Sequence, residues 1–156
     1  MFLDIDGVLN HPACHEDEHA LMEPNCVRRL NALVKRTGAV VVIASAWRSL
    51  VRDGIMALDG FRWLLRSHGL AVNVVDITGS DEEEPLRGRQ FRPWLGKHPQ
   101  VDGFVVIDDD TESMDDLAQH VVRTDRACGL SDLVLKRAVE ILARPPQAID
   151  LVHGRS

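Results

Sequence analysis

Aromatic side chains are scarce in this chain: they make up 4% of its 156 residues. Proteins that hold single-stranded nucleic acid without reading it stack bases on aromatic platforms, and such platforms are in short supply here. Cysteine is sparse too, with Cys14, Cys26 and Cys128 the only three. An odd number at irregular spacing does not make a disulfide framework, so reduced thiols are expected. No apolar run is long enough to cross a bilayer, and neither an internal repeat nor a low-complexity block stands out. Positive charge is not in excess. The formal net charge of −6 lacks the electrostatic footprint of a duplex-binding module, while leaving room for a local basic face. The chain opens MFLDIDG, and carboxylates that early argue against a secretory leader. The cytosol is the expected compartment.

What is present suits one globular domain. With 45% hydrophobic residues, 156 residues can bury a single core without disulfides or a structural metal. The expected domain is 1–156, with a core over about 1–143 and a tail over 144–156. Residues 1–3 form a short apolar start that runs into Asp4. Residues 24–37 read as a helix, with Pro24 in its first turn and Gly38 as its stop. The run AVVVIA at 39–44 has the pattern of a strand buried on both faces. Further expectations are a helix within 55–68, a strand at 72–77, an acidic loop at 80–85 and a partly helical stretch at 86–98. A strand GFVVI at 103–107, a short helix at 113–119 and a strand at 120–123 follow. Ser131 caps a last helix at 132–143. Gly88 and Pro93 weaken the helical pattern at 86–98.

Strands alternating with helices imply a parallel sheet covered on both faces. Such sheets bind ligands beyond the carboxyl ends of their strands. Three apolar strands end in polar residues: Leu3 in Asp4, Ala44 in Ser45, Ile107 in Asp108. One sheet edge would gather all three.

Asp4 and Asp6, two residues apart, are followed by Gly7, which lets the chain turn sharply. Carboxylates this close repel unless a proton or a cation relieves them, and magnesium favours such oxygen ligands. Alone, the tetrapeptide also fits a surface acidic turn; a calcium-binding EF-hand fits poorly, since glycine comes too early. Asp108, Asp109 and Asp110 form a second acidic group behind a buried strand. If that strand neighbours the first, a four-carboxylate metal site results. The Ser45 hydroxyl could meet a phosphate oxygen, or merely cap a turn. Trp47 and Arg48 could contact a substrate, or serve as core packing and surface charge. Arg87, Arg89, Arg92 and Lys97 are candidates to balance a phosphate, and spacing alone does not choose among them. Cys14, His15 and His19 suggest zinc only weakly, without a second cluster to complete four ligands; a flap over the site is the alternative for 11–21.

The ordered set DIDGV, strand–Ser45, a basic residue, then strand–DDD resembles the haloacid dehalogenase (HAD) superfamily of phosphohydrolases over about 1–143. More narrowly, FLDIDGVLN, IASAWR and RGRQFRPWLGKHPQVDGFVVIDDD resemble the small HAD domains of nucleic-acid (RNA) end-repair proteins. The resemblance implies a three-layer, Rossmann-like, near-capless α/β fold. It also implies a magnesium-dependent phosphatase acting through an aspartyl-phosphate. Asp4 matches the nucleophile and Asp6 the general acid–base. Ser45 matches the phosphate-binding hydroxyl and Arg87 the balancing cation. Asp108 and Asp109 match the acidic metal motif, Asp109 being the better direct ligand. In the family Asp4 gives a carboxylate oxygen to Mg2+, and Asp6 its backbone carbonyl. Arginine at the balancing position keeps the charge and changes the geometry.

Insertions after Asn10 and Arg48 are too short for a large cap. An open site admits polymer ends, so RNA or DNA ends with a 5′ or 3′ phosphate are the expected substrates. Nucleotide or sugar phosphates are the alternative, and a non-catalytic phosphate- or metal-binding module is the rival outside enzymes. Arg48, Arg52, Arg62 and Arg66 are the residues expected to supply a basic track.

Overall fold

The structure is a computed structural model. It describes residues 1–12, 21–79 and 87–145, and of Arg87 only the backbone. Cys14, His15 and His19, the acidic loop 80–85 and the tail from 146 onward lie outside the described residues.

Five strands, β1 (Phe2–Leu3), β2 (Val41–Ile43), β3 (Val74–Ile77), β4 (Val106–Asp108) and β5 (Val121–Arg123), form one sheet. All pairings are parallel, in the order β3-β2-β1-β4-β5. The helices are α1 (Pro24–Thr37), α2 (Ser49–Arg52), α3 (Leu58–Ser67), α4 (Arg87–Lys97) and α5 (Asp132–Leu142).

Two residues suffice for β1 because it is central. Phe2 pairs with Val42 and Val106, and Leu3 with Ile43 and Ile107. The Asp4 amide donates to the Ile107 carbonyl at 3.0 Å, and the Ala44 amide to the Leu3 carbonyl at 2.9 Å. The short strand is therefore held on both sides up to the point where its carboxylate begins.

Side chains alternate along the strands, as the pleat requires. Leu3, Val41, Ile43, Val105 and Ile107 join one buried cluster with Leu30 and Leu33 of α1, Phe61 and Leu65 of α3, and Ala138 and Ile141 of α5. Phe2, Val42, Ala44 and Val106 join another with Phe91 and Leu95 of α4 and Leu117. The result is the expected three-layer, Rossmann-like α/β arrangement, with helices on both faces.

Capping explains where α1 begins and ends. The Glu23 carboxylate accepts from the Cys26 amide, Pro24 occupies the first turn, and Gly38 stops the helix at φ 69°. Its observed bounds are those the periodicity indicated. The strands are shorter than their apolar runs, because periodicity reports burial rather than ladder pairing. Val105 is fully buried yet precedes β4, and β1 offers its neighbours only two residues to pair with. The helix expected at 113–119 is a 3-10 helix, Asp115–His120. Helix α4 continues through Pro93, which has no N–H to give the Arg89 carbonyl.

At the open edge, Arg62 donates Nε to the Val74 carbonyl at 2.7 Å and Nη2 to that of Val75 at 3.4 Å. A charged side chain thus covers strand atoms that would otherwise pair with another chain. Among the described residues no helix is long and apolar enough to cross a membrane.

Candidate active site

The sheet order puts β1 between β2 and β4, so Asp4, Ser45 and Asp108 emerge at neighbouring strand ends. Asp4 is 2% exposed and Asp108 fully buried. One carboxylate oxygen from each of Asp4, Asp108 and Asp109 lies within 4.8 Å of the others. At that separation two ionised groups repel by about 3–4 kcal/mol at an effective dielectric constant near 20. A shared divalent ion relieves this, and the donor set is all hard oxygen, which suits magnesium.

Gly7 makes the cluster possible. Its φ is +75°, and a Cβ there would lie 2.5 Å from Asp109 Cγ. The Asp109 carboxylate occupies the space a side chain would take. On its other side Gly7 is held by Thr124, whose Oγ1 donates to the Gly7 carbonyl at 2.8 Å. The third acid of the triplet serves the turn instead. The Asp110 amide donates to Asp108 Oδ1 at 3.0 Å, and Asp110 Oδ1 accepts from the Glu112 amide at 3.0 Å.

The expected four-carboxylate site is a three-carboxylate cluster, because the Asp6 side chain has other partners. Asp6 Oδ1 accepts from Asn10 Nδ2 at 2.8 Å, and Trp47 Nε1 lies 3.1 Å from both Asp6 oxygens. Asn10 Oδ1 in turn accepts from the Gly7 amide at 3.1 Å.

Ser45 is fully buried; its hydroxyl oxygen accepts from the Trp47 amide at 3.4 Å and caps the 3-10 turn Ala46–Arg48. Arg48 is buried rather than a surface charge, and its Nη1 donates to the Ser45 carbonyl at 2.9 Å. The four arginines considered as a basic track do not make a continuous exposed one: Arg48 is buried and Arg62 is committed to the β3 edge and Asp59. Arg87 opens α4, with its side chain outside the described residues. Next to it, the Gly88 amide faces Ser113 Oγ at 3.3 Å, and a Cβ on Gly88 would meet the Ser113 carbonyl at 1.9 Å. The first turn of α4 is thus pressed against the loop that follows the acidic triplet. Arg92 pairs with Asp116, which commits it elsewhere.

Sequence reasoning missed Asn10, Thr124 and two arginines. Arg123, Thr124, Asp125 and Arg126 line an open cavity of about 590 Å³ together with Asp109 and Asp110. Arg126 is 77% exposed and its Nη1 lies 3.8 Å from Asp109 Oδ2. The Arg123 Nε donates to the Asp109 carbonyl at 3.0 Å. This loop is fastened to the Asp6–Asn10 turn, since the Leu130 amide donates to the Val8 carbonyl at 2.8 Å. Cys26 Sγ lies 3.7 Å from the Leu130 carbonyl, and burial pushes its thiol up to about 11, so it acts as packing rather than as a nucleophile. Arg123 ends β5 and Arg126 lies three residues beyond it, and no motif in the sequence marks either.

No curated protein and no solved structure gives a significant match to the chain. One family profile does, over residues 1–134: the HAD domain in Swiss Army Knife RNA repair proteins. That match spans β1 to the first turn of α5 and supports, at the coarse level, a HAD-type phosphatase. The chain belongs to the family of HAD domains found in Swiss Army Knife RNA repair proteins.

Proposed function

We propose that this domain is a magnesium-dependent phosphomonoester hydrolase that forms an aspartyl-phosphate on Asp4 and acts on 5′ or 3′ phosphate ends of nucleic acid. The observation that carries this reading is the meeting of Asp4 with Asp108 and Asp109 at one sheet edge, with Ser45 on the next strand end. Asp4, Asp108 and Asp109 would hold Mg2+ through carboxylate oxygens, and Asp6 through its backbone carbonyl. When bound, the ion offsets the repulsion between an anionic phosphate and a carboxylate nucleophile.

The protein's own groups do the rest. Asp4 attacks phosphorus, which divides one hard displacement into two easier ones. Asp6 gives a proton to the leaving oxygen and then takes one from the attacking water. The Ser45 hydroxyl and the Arg87 guanidinium steady the phosphoryl oxygens. Arg48, buried beneath Ser45, supports the serine turn through its carbonyl.

Two features favour a bulky substrate. The family description names RNA repair proteins, and the cavity beside Asp109 is open and flanked by Arg123 and Arg126. A polynucleotide can lie there with its next phosphate near a guanidinium.

The test is phosphate release, with and without Mg2+, from an aryl phosphate, from 5′- and 3′-phosphorylated RNA and DNA oligonucleotides, and from nucleotide and sugar phosphates. Magnesium-dependent release with oligonucleotides preferred is the expected result. Preference for the small phosphates would replace the substrate reading, and no release from any of them would leave a phosphate-binding module.

A further inference from the structure

Asp6 sits among hydrogen-bond donors, and their arrangement is unequal. Oδ1 accepts from both Asn10 Nδ2 (2.8 Å) and Trp47 Nε1 (3.1 Å); Oδ2 accepts, among the described residues, from Trp47 Nε1 alone (3.1 Å). A carboxylate oxygen offers two lone pairs. The single indole N–H is shared between the two oxygens, so the Asn10 bond makes the difference and leaves Oδ2 the less occupied oxygen.

Neither donor can rotate out of its role. The Asn10 side chain is buried, and its amide orientation is set because Oδ1 must accept from the Gly7 amide. The Trp47 ring is half-buried against the main core cluster. An indole N–H only donates, and a half-buried one needs an acceptor. Neither group presents an acceptor to Asp6: the indole N–H only donates, and Asn10 turns its Nδ2 toward Asp6 and its Oδ1 toward the Gly7 amide. A proton on Asp6 thus has no neighbour in this clamp to bond to and points outward.

We infer that Trp47 and Asn10 are positioning residues that fix Oδ2 of Asp6 as the oxygen exchanging protons with substrate and water. The inference rests on the proposed phosphatase function and deepens it. In the first step the Oδ2–H bond breaks as the ester P–O bond breaks. The proton goes to the leaving oxygen, and an Asp4 oxygen bonds to phosphorus. In the second, water bonds to phosphorus, its proton passes to Oδ2, and the Asp4 carboxylate leaves. Trp47 lies two residues after Ser45, so the turn that carries the phosphate-binding hydroxyl also carries the clamp on the acid. A shift of that turn would move both together.

The test is the dependence of kcat/KM on leaving-group basicity, measured with substituted phenyl phosphates on the full chain. Trp47→Phe keeps the packing and removes the N–H; Asn10→Ala removes the other donor. A mispositioned acid matters little when the phenol leaves easily and much when it does not. Trp47→Phe should lose about tenfold or more with the most basic phenol and less than about threefold with p-nitrophenol, a fraction of the full 10²–10⁴ that general acid catalysis supplies. Asn10→Ala should act in the same sense. In an Asp6→Ala background, Trp47→Phe should cost nothing further, because partners in one unit are non-additive. An equal loss across all phenols, or a full additional loss in the Asp6→Ala background, would show a merely structural role and overturn the inference. A wild type that turns over normally alongside variants of unchanged slope would overturn the clamp alone. A wild type that releases phosphate from none of the phenyl or oligonucleotide substrates would overturn the phosphatase reading, and the clamp with it.

Discussion

Asp4 and Asp6 are two residues apart and chemically alike, yet the structure gives them opposite surroundings. The Asp4 carboxylate faces two others, from Asp108 and Asp109, at a spacing that suits a shared cation. The Asp6 carboxylate faces N–H groups from Asn10 and Trp47. Environment rather than residue type divides a pair of carboxylates into different roles, and here the division is made by Gly7. Its turn brings Asp109 against the chain next to Asp4, and its amide holds the asparagine that holds Asp6.

The largest expected break in this comparison is Gly7→Ala. The new Cβ would collide with the Asp109 carboxylate, and the backbone would sit at a positive φ that costs about 1–2 kcal/mol for a side-chain-bearing residue. Half-saturating Mg2+ for phosphate release should rise roughly 10–100-fold, the range seen when groups supporting a metal site are lost. A titration of activity against Mg2+, paired with a thermal melt, separates the two effects. An unchanged midpoint would mean that Asp109 is not part of the ion's shell.

A smaller effect is expected from Arg126→Ala, which touches the carboxylate side only. Arg126 itself is exposed and its contact with Asp109 is long, so stability should change by less than about 0.5 kcal/mol. Cleavage of an aryl phosphate should be unaffected. The salt dependence of kcat/KM on a phosphorylated oligonucleotide should flatten by about one unit of log–log slope. If the slope is unchanged, the cavity past β5 does not hold the polymer.

The smallest effect lies away from both carboxylates and serves as a control. His120 stacks on Phe104 with ring centroids 4.1 Å apart, and burial lowers its pKa. Its neutral form is favoured by folding, so its contribution is present above the unfolded value of about 6.5 and is lost as pH falls below it. Thermal stability should drop slightly between pH 7 and pH 5, and His120→Gln should remove that part of the drop. A drop of the same size in the variant would assign it to other groups.

Much of the fold was legible because burial and capping are local. Helix α1 could be bounded from Pro24 and Gly38, and the central strands from AVVVIA and GFVVI. The acidic cluster was half legible. The acidic groups are written in the sequence, but that β1 lies beside β4, and that Asp6 turns away to Trp47, are properties of the ladder and of one glycine's backbone. Trp47 illustrates the limit. As a sequence position it fitted core packing or substrate stacking; folded, its ring packs while its N–H meets Asp6 across 41 residues. Arg123 and Arg126 were invisible for a related reason. Nothing local marks the loop after β5 as adjoining the loop after β1; the contact comes from Thr124 reaching the Gly7 carbonyl over 117 residues.

The central claim is that Asp4 carries the phosphoryl group. The direct measurement is an acid quench during turnover of a radiolabelled phosphoester in the presence of Mg2+, followed by peptide mapping. Label should be found on the peptide that contains Asp4, be released by hydroxylamine, and be absent from Asp4→Asn, which should fold normally and release no phosphate. Sustained phosphate release by Asp4→Asn, with no label on that peptide in the wild type, would contradict it.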